Sequence, residues 1–384
     1  MAFGSNRYFL RTAQVAIGCL LTAALAGVHV GQAGQAPRPQ MAEDVFKNVP
    51  VIRGIPVDEF MDTMGMFSAA LSLNCPDCHV PESSKTWERF ADETDLKIAA
   101  RRMVTMVNNI NRTNFGGEEF VTCYTCHRGD RRPQVRPSLT VQYGVPMGDP
   151  NEIDIFPDTA APPAEQILDK YIAAIGGAQR LAAISSFAAK GTYEGYDTDH
   201  TAVSVEIFAK APNQRTTVVR LFEGNDSVRT FDGNGAWIAS PDRPVTLMPL
   251  TGGNLNGARL DAQLSFPAQI KTLFRQWKVA AAVIDDREVR VVQGINPGQL
   301  PVNFYFDDAG LLIRVVRVTQ TSVGQVPTEI SYSDYREVAG VKMPFQWITT
   351  WTNGQTTTKL TEIQPNVAID AARLARPAPA RRPQ

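Results

Sequence analysis

Two short stretches of this 384-residue chain place the same reactive side chains at the same spacing: Cys75-Pro76-Asp77-Cys78-His79 and Cys123-Tyr124-Thr125-Cys126-His127. C-x-x-C-H is the attachment pattern of c-type haem, and its spacing has a mechanical cause. Two thiols one helical turn apart reach the two vinyl groups of a porphyrin, and the next residue points its imidazole at the iron. A disulfide pair, a zinc site or a thioredoxin-like redox motif would use the same residue types. Zinc would lack a fourth ligand at either Cys₂His set, and the two copies use every cysteine except Cys19. The spacing predicts two covalently bound haem c groups, anchored by Cys75, Cys78, Cys123 and Cys126, with His79 and His127 as proximal iron ligands.

A count then constrains the sixth ligands. The chain has 4 His, and besides His79 and His127 these are His29 in the N-terminal apolar run and the distant His200. Bis-histidine ligation of both irons is therefore closed to a single chain. Methionine is the usual alternative and raises the potential relative to histidine. Met61, Met64 and Met66 precede the first motif, and Met103 and Met106 precede the second; each competes with a role as a gap-filling core residue.

The elements that must position these groups read as two helices, over 56–74 and 93–111, where Ile98, Met103, Val104, Val107 and Ile110 recur at helical spacing. Each helix runs towards the motif that follows it. Ahead of them, Arg7 and Arg11 precede an apolar run over 13–30, followed by the small residues Gly31-Gln32-Ala33 and Gly34-Gln35-Ala36. This reads as a cleaved secretory signal over 1–36, with an uncleaved anchor and a lipoprotein box at Ala16-Ile17-Gly18-Cys19 as alternatives. All three export the protein to a periplasmic or other extracytoplasmic place, with membrane association in the latter two.

Residues 37–132 form the expected dihaem cytochrome c domain, 133–163 a Pro-rich linker, 164–372 a β-rich domain and 373–384 a disordered tail. The β-rich part opens with a helix over 165–175, stopped by Gly176-Gly177, after which the apolar period becomes two. Val302 to Phe306 with Asp307-Asp308-Ala309-Gly310 reads as a hairpin, and Asn353-Gly354 predicts a type I′ turn between two more strands. A helical stretch over 257–274 is interrupted by Pro267. The expected fold class is α+β multidomain: a mainly α dihaem domain, then an antiparallel half-barrel of about ten strands with helices on its concave face. The net charge of −1 leaves no global field for nucleic acid.

The run Ala42 to Val49, the repeated helix-then-motif unit, Arg102-Met103 to Asn111, and Val121 to Gly129 resemble the photosynthetic reaction-centre cytochrome c subunit family over about 42–132. The resemblance implies that a methionine on the preceding helix ligates each iron, which falls here on Met64 and Met103, leaving Met61 and Met106 as packing neighbours. Family members in phototrophs carry four haems, whereas this chain has two motifs, and no histidine stands between Asn114 and Thr122 where the family places one. The β-rich part resembles lipoprotein-carrier and lipoprotein-sorting half-barrels, which implies an acyl groove walled by Trp237, Phe304, Phe306 and Trp347; the same aromatics can instead be sheet core. His200, Asp285-Asp286 and Asp307-Asp308 carry no catalytic pattern. The leading expectation is an exported carrier of single electrons between redox protein partners, within or outside a membrane-associated complex. A dihaem peroxidase-like enzyme with an open distal face, and a lipophilic-ligand or partner-binding β module with an attached cytochrome, are the alternatives.

Overall fold

The computed structural model describes residues 38–133, 135–137, 139, 153–221 and 225–382. The expected signal, with Cys19 and His29, and the centre of the Pro-rich linker, with Pro146 and Pro150, lie outside the described residues. None of the described helices is long and apolar enough to cross a membrane.

The N-terminal part is helical. A single turn, α1 (Ala42–Val45), leads to α2 (Val57–Leu71), whose first turn carries Asp58 and Glu59 against the positive end of the helix dipole and whose last residue is followed by Ser72 in the left-handed region. The first motif forms α3 (Cys75–Cys78). Then α4 (Asp95–Asn114) begins where the Thr94 hydroxyl accepts the Lys97 N–H at 3.2 Å, and the second motif forms α5 (Cys123–His127). Beyond the linker come α6 (Ala164–Ala174) and α7 (Ala178–Ala182). Gly176 and Gly177 sit at positive φ between them, and a Cβ on Gly176 would stand 2.5 Å from the Gly340 carbonyl.

A large antiparallel sheet follows: β1 (Ser186–Gly195), β2 (Val203–Lys210), β3 (Gln214–Arg220), β4 (Asp226–Phe231), β5 (Ala236–Ala239), β6 (Met248–Leu250), β7 (Gln276–Ile284), β8 (Arg287–Ile295), β9 (Val302–Phe306), β10 (Leu312–Thr321), β11 (Gly324–Val338), β12 (Val341–Trp351) and β13 (Gly354–Pro365). It has 13 strands rather than about ten, in the order β6-β5-β4-β3-β2-β1-β13-β12-β11-β10-β9-β8-β7. Strands as short as Met248–Leu250 carry too little period-two pattern to be seen in a sequence. Between the two edge strands runs α8 (Gly252–Leu264), followed by a 3₁₀ segment starting at Pro267, where the ring forbids the helix to continue.

The hairpins form where the sequence expects them, with one correction. The β12–β13 turn centres on Thr352-Asn353, because Trp351 pairs with Gly354, and neither Asn353 nor Gly354 has positive φ. Gly354 is needed for space: a Cβ there would lie 2.5 Å from the Trp351 ring. Positive φ at both central residues occurs instead at Asp285-Asp286 and at Ala339-Gly340, between paired strand ends.

The sheet is strongly curved, and one side chain proves it. Asp261 on α8 has its Oδ2 3.7 Å from a guanidinium nitrogen of Arg229 on β4 and 3.7 Å from one of Arg317 on β10. Those strands hold the third and tenth places in the order, which in a flat sheet would separate them by roughly 34 Å. The sheet therefore wraps α8. Its concave face is filled by α6, α7, α8 and the Pro267 segment, packing Leu168, Ile175, Leu260 and Ile270 on Val292, Phe304, Phe306 and Val315. A second cluster on the same face joins Phe187, Val205, Ile207, Phe345 and Leu360.

Helical segment and sheet share two further clusters. Met66, Ala70, Val104 and Cys123 pack with Val323 and Val326 of the β10–β11 hairpin, while Val57 packs with Phe231, Met248, Leu250 and Ala258. Asp58 joins the same contact, accepting from the Thr251 N–H at 2.6 Å and its hydroxyl at 2.9 Å just ahead of α8. Burial raises the Asp58 carboxyl despite these bonds and lifts Asp62 to about 7. The described end of the linker lies along the sheet through Asp158 N–H to Val279 O and Gln293 to Ile153 O. In the tail, Ala380 N–H donates to Thr246 O.

The two large concave clusters draw no residue from before Ala164. A fragment of residues 162–384 is therefore expected to fold alone with β-type circular dichroism. It should unfold at lower denaturant than the full chain, by roughly 1.5–3 kcal/mol for each apolar side chain that loses its cover. Failure of the fragment to fold would show that the helical segment completes the core.

Candidate haem sites

Each C-x-x-C occupies one helical turn, so its two thiols share a face. The first turn is fixed by the Asp77 carboxylate accepting the Asn74 N–H at 2.7 Å. The second has a reciprocal cap, Thr125 N–H to the Thr122 hydroxyl at 3.3 Å and Thr122 N–H to the Thr125 hydroxyl at 3.0 Å. The four cysteines are free thiols: Cys75 and Cys126 exposed, Cys78 half-buried and Cys123 buried. Burial, then the Asp77 charge, raises the Cys78 thiol, and burial pushes Cys123 up to about 11. A redox-active dithiol needs its thiol pKa lowered, which the surroundings of Cys78 and Cys123 do not do. Among the described residues no cluster of His, Cys, Asp and Glu is arranged to hold a metal ion.

The two histidines are oriented alike. His79 Nδ1 lies 3.2 Å from the Phe90 carbonyl oxygen, and His127 Nδ1 lies 3.0 Å from that of Asp130. A carbonyl only accepts, so Nδ1 is the protonated nitrogen in each contact and Nε2 is the nitrogen left for a metal, as an iron-bound imidazole requires. Burial, then the nearby Lys97 ammonium, lowers the His79 pKa and favours the neutral ring. Phe90 also packs edge-on against His79 at 4.8 Å and stacks on Trp87. The carbonyl partners were invisible in the sequence, since any residue supplies one.

The helices and motifs interlock rather than forming two separate units. The second motif docks on the end of α2: Gly129 N–H donates to Ala70 O at 3.0 Å, and the Ser72 hydroxyl donates to Gly129 O at 2.6 Å. The first motif meets the start of α4, where the Thr94 hydroxyl donates to Cys78 O at 2.6 Å. Met64 is half-buried on the α2 face that joins this cluster, and Met61 is half-buried. Met66 is 5% exposed and packs against Gly324 and the second motif's cap residue Thr122. Met103 and Met106 keep 41% and 44% of their surface, and Phe115, Phe120 and Tyr124 around the second motif are likewise exposed. Such apolar surface beside two free thiols fits a large planar apolar group. Met106 also lines a cleft of about 510 Å³ with Arg102, Asn109 and Arg112.

The remaining sequence candidates are placed elsewhere. Phe304 and Phe306 are 0% and 1% exposed under α6, with Phe274, Trp277 and Tyr171 around them, and Trp237 is buried. Of the four aromatics expected to wall a groove, Trp347 alone is half-exposed. His200 is exposed in a turn.

The brace from the sheet was not legible in the sequence. Gly324, at φ +140°, starts β11, and a Cβ there would stand 2.8 Å from Met66 Cε and 3.0 Å from Thr122 Cγ2. Gly324→Ala should therefore cost roughly 1–3 kcal/mol and disturb the spectrum and potential of a haem at Cys123-Cys126 more than one at Cys75-Cys78. Equal effects on both, or none, would remove the hairpin as a brace of the second motif.

Comparison with known proteins agrees with the motif reading. Residues 23–140 match the family model described as photosynthetic reaction centre cytochrome C subunit. The subunit of Roseobacter denitrificans is 34% identical over 101 residues, covering 24% of this chain and 27% of that protein, and the one from Thermochromatium tepidum is 36% identical over 97 residues, covering 24% and 23%. The chain thus spans about a quarter of the length of these curated relatives. The β-rich part weakly resembles a LolA superfamily protein from Nitrosomonas europaea, with TM-score 0.36 and 14% identity over 54% of this chain and 96% of that one. It is similarly like a domain described as outer membrane lipoprotein-sorting from Vibrio parahaemolyticus, with TM-score 0.35 and 9% identity over 53% and 93%. At those scores the likeness is one of general layout and carries no functional argument. What the comparisons show is that the N-terminal segment resembles a reaction-centre cytochrome c subunit; the large antiparallel sheet that follows it is seen in the structure.

Proposed function

We propose that this chain is an exported dihaem c-type cytochrome that passes single electrons between redox protein partners, a carrier rather than an enzyme. One observation supports it above the rest: both motif histidines hold Nδ1 against a backbone carbonyl, so both present Nε2. Cys75 and Cys78, and Cys123 and Cys126, would anchor the two groups through thioethers, with His79 and His127 as proximal ligands and Met64 and Met103 as distal ones. Haem c supplies reversible one-electron chemistry when bound. The chain's own residues fix ring orientation through Phe90 and Asp130 and offer the group the exposed apolar side chains of α4. The proposed place is extracytoplasmic, and the curved sheet, read as a half-barrel whose concave side is filled by helices, is the part that would meet a partner or lipophilic ligand.

Denaturing mass spectrometry of protein made in a host with a c-type maturation system should give the signal-free chain plus two haem masses. A reduced apo-chain, or one carrying zinc, would end the reading.

The ligand assignment is tested separately. Met64→Leu and Met103→Leu should each abolish the far-red sulfur-to-iron(III) band of one haem and lower its potential, because a thioether favours ferrous iron. Leu keeps the volume, so packing loss stays under about 1.5 kcal/mol. Loss of the band in Met61→Leu, Met66→Leu or Met106→Leu instead would move the ligand along its helix. No change in any variant would remove His/Met ligation.

A further inference from the structure

Inside the curve of the sheet, far along the chain from either motif, lies a group of arginines with too few partners. Arg215 on β3, Arg229 on β4 and Arg317 on β10 converge on α8 from opposite sides of the concavity. Among the described residues Asp261 is the one carboxylate within 4.0 Å of any of them, at 3.7 Å from Arg229 and 3.7 Å from Arg317. Arg215 donates to the Ser265 hydroxyl at 2.8 Å and stacks over Trp347 at 5.8 Å. Three guanidiniums thus face one carboxylate.

These side chains are built into place. Gly257 on α8 leaves a notch for Arg317, since a Cβ there would fall 1.7 Å from its Nη1. Neighbouring protein desolvates Arg215 and Arg229 and pulls both below the ordinary arginine range, opposed by Asp261. Yet Arg229 retains 40% of its side-chain surface and Asp261 25%. Solvent therefore reaches the group on the Arg229 side, while Arg317 keeps only 12% of its side-chain surface. Partly desolvated like charges without counterions are costly, and guanidiniums bind carboxylate and phosphate oxygens in a two-pronged manner.

We propose that Arg215, Arg229 and Arg317 form an anion-recognition site between α8 and the concave face of the sheet, taking a ligand that bears a carboxylate or phosphate group. Asp261 is its internal competitor, holding two of the arginines in register when the site is free. The bare anion and the headgroup of an amphiphile share this chemistry. The site is independent of the haem reading, because none of its residues belongs to the helical segment.

Isothermal titration calorimetry of the full haem-loaded chain tests it with palmitate, the neutral hexadecanol and inorganic phosphate as probes. Palmitate or phosphate should bind, and hexadecanol should bind at least tenfold more weakly than palmitate. Arg215→Gln and Arg229→Gln should each weaken the anion by roughly tenfold or more, the loss of one charge-assisted hydrogen bond. Asp261→Asn should tighten it, a response that a purely structural role for Asp261 would not give and that stands even if an arginine variant fails to fold. Phosphate binding with this variant pattern identifies a free anion as sufficient, whereas palmitate binding without phosphate binding identifies an amphiphile headgroup. Absence of binding by both anions, equal affinity for hexadecanol, or weakening by Asp261→Asn overturns the proposal.

Discussion

The structure depends on α8 lying inside the curve of a single sheet. The chain lays down β1 to β6 outward from the centre, must then reach the opposite edge to start β7, and does so through α8 and the Pro267 segment. A sheet of more than about ten strands does not stay open and flat, and here the crossing helix supplies the apolar surface around which it curls. Asp261 touching arginines of β4 and β10 is the direct consequence. The same geometry explains why α8 is glycine-rich at its start: Gly253 and Gly257 are where Thr319 and Arg317 approach the helix backbone most closely.

The helical segment borrows its rigidity from that sheet. Its buried apolar residues are few and small, among them Val57, Ala70, Val104 and Val107, too little to stabilise short helices whose turns carry cofactor ligands. Val57 and Met66 instead find cover on the sheet and its β10–β11 hairpin, and Gly65 approaches Thr352 and Asn353 of the β12–β13 turn so closely that a Cβ would lie 2.7 Å from the Thr352 hydroxyl. The helix carrying Met64 is therefore clamped along one side by strands and a turn that lie from 174 residues (Val57 to Phe231) to 287 residues (Gly65 to Thr352) further along the chain, and its far end holds the second motif through Gly129 and Ser72.

What the sequence disclosed follows from the range of the interactions involved. The two motifs, the helices over 57–71 and 95–114, the glycine stop after α6 and most hairpins rest on contacts within a few residues, and each is legible in local pattern. The Asn353-Gly354 turn was misjudged because the glycine answers a steric demand from Trp351 and not a backbone one. The interlocking of each motif with the neighbouring helix, the hairpin under Thr122 and the arginines around Asp261 all join residues brought together by sheet curvature, which no periodicity encodes. Phe304 and Phe306 show the same limit from the other side: their alternation marks an inward face, but what covers that face is set by α6 and the Pro267 segment.

In the proposed arrangement the choice of a carbonyl beside each histidine has an electronic consequence. An imidazole whose Nδ1–H is held by a carboxylate is pushed towards imidazolate and becomes a stronger donor to the metal; a neutral carbonyl does this far less. Phe90 O and Asp130 O are both neutral acceptors, and a thioether on the opposite face also favours the reduced metal. Both sites are thus built alike on the proximal side. Any difference between them must come from surroundings: both histidines are half-buried, but His79 has Lys97 near it and the Phe90 ring packed against it, whereas His127 ends a turn next to Arg128. A cation close to either iron would disfavour the more positive ferric charge, and each site has one, Lys97 at the first and Arg128 at the second. In that arrangement the two sites would differ through the rings beside them, Phe90 and Trp87 at the first and the exposed Phe120 and Tyr124 at the second.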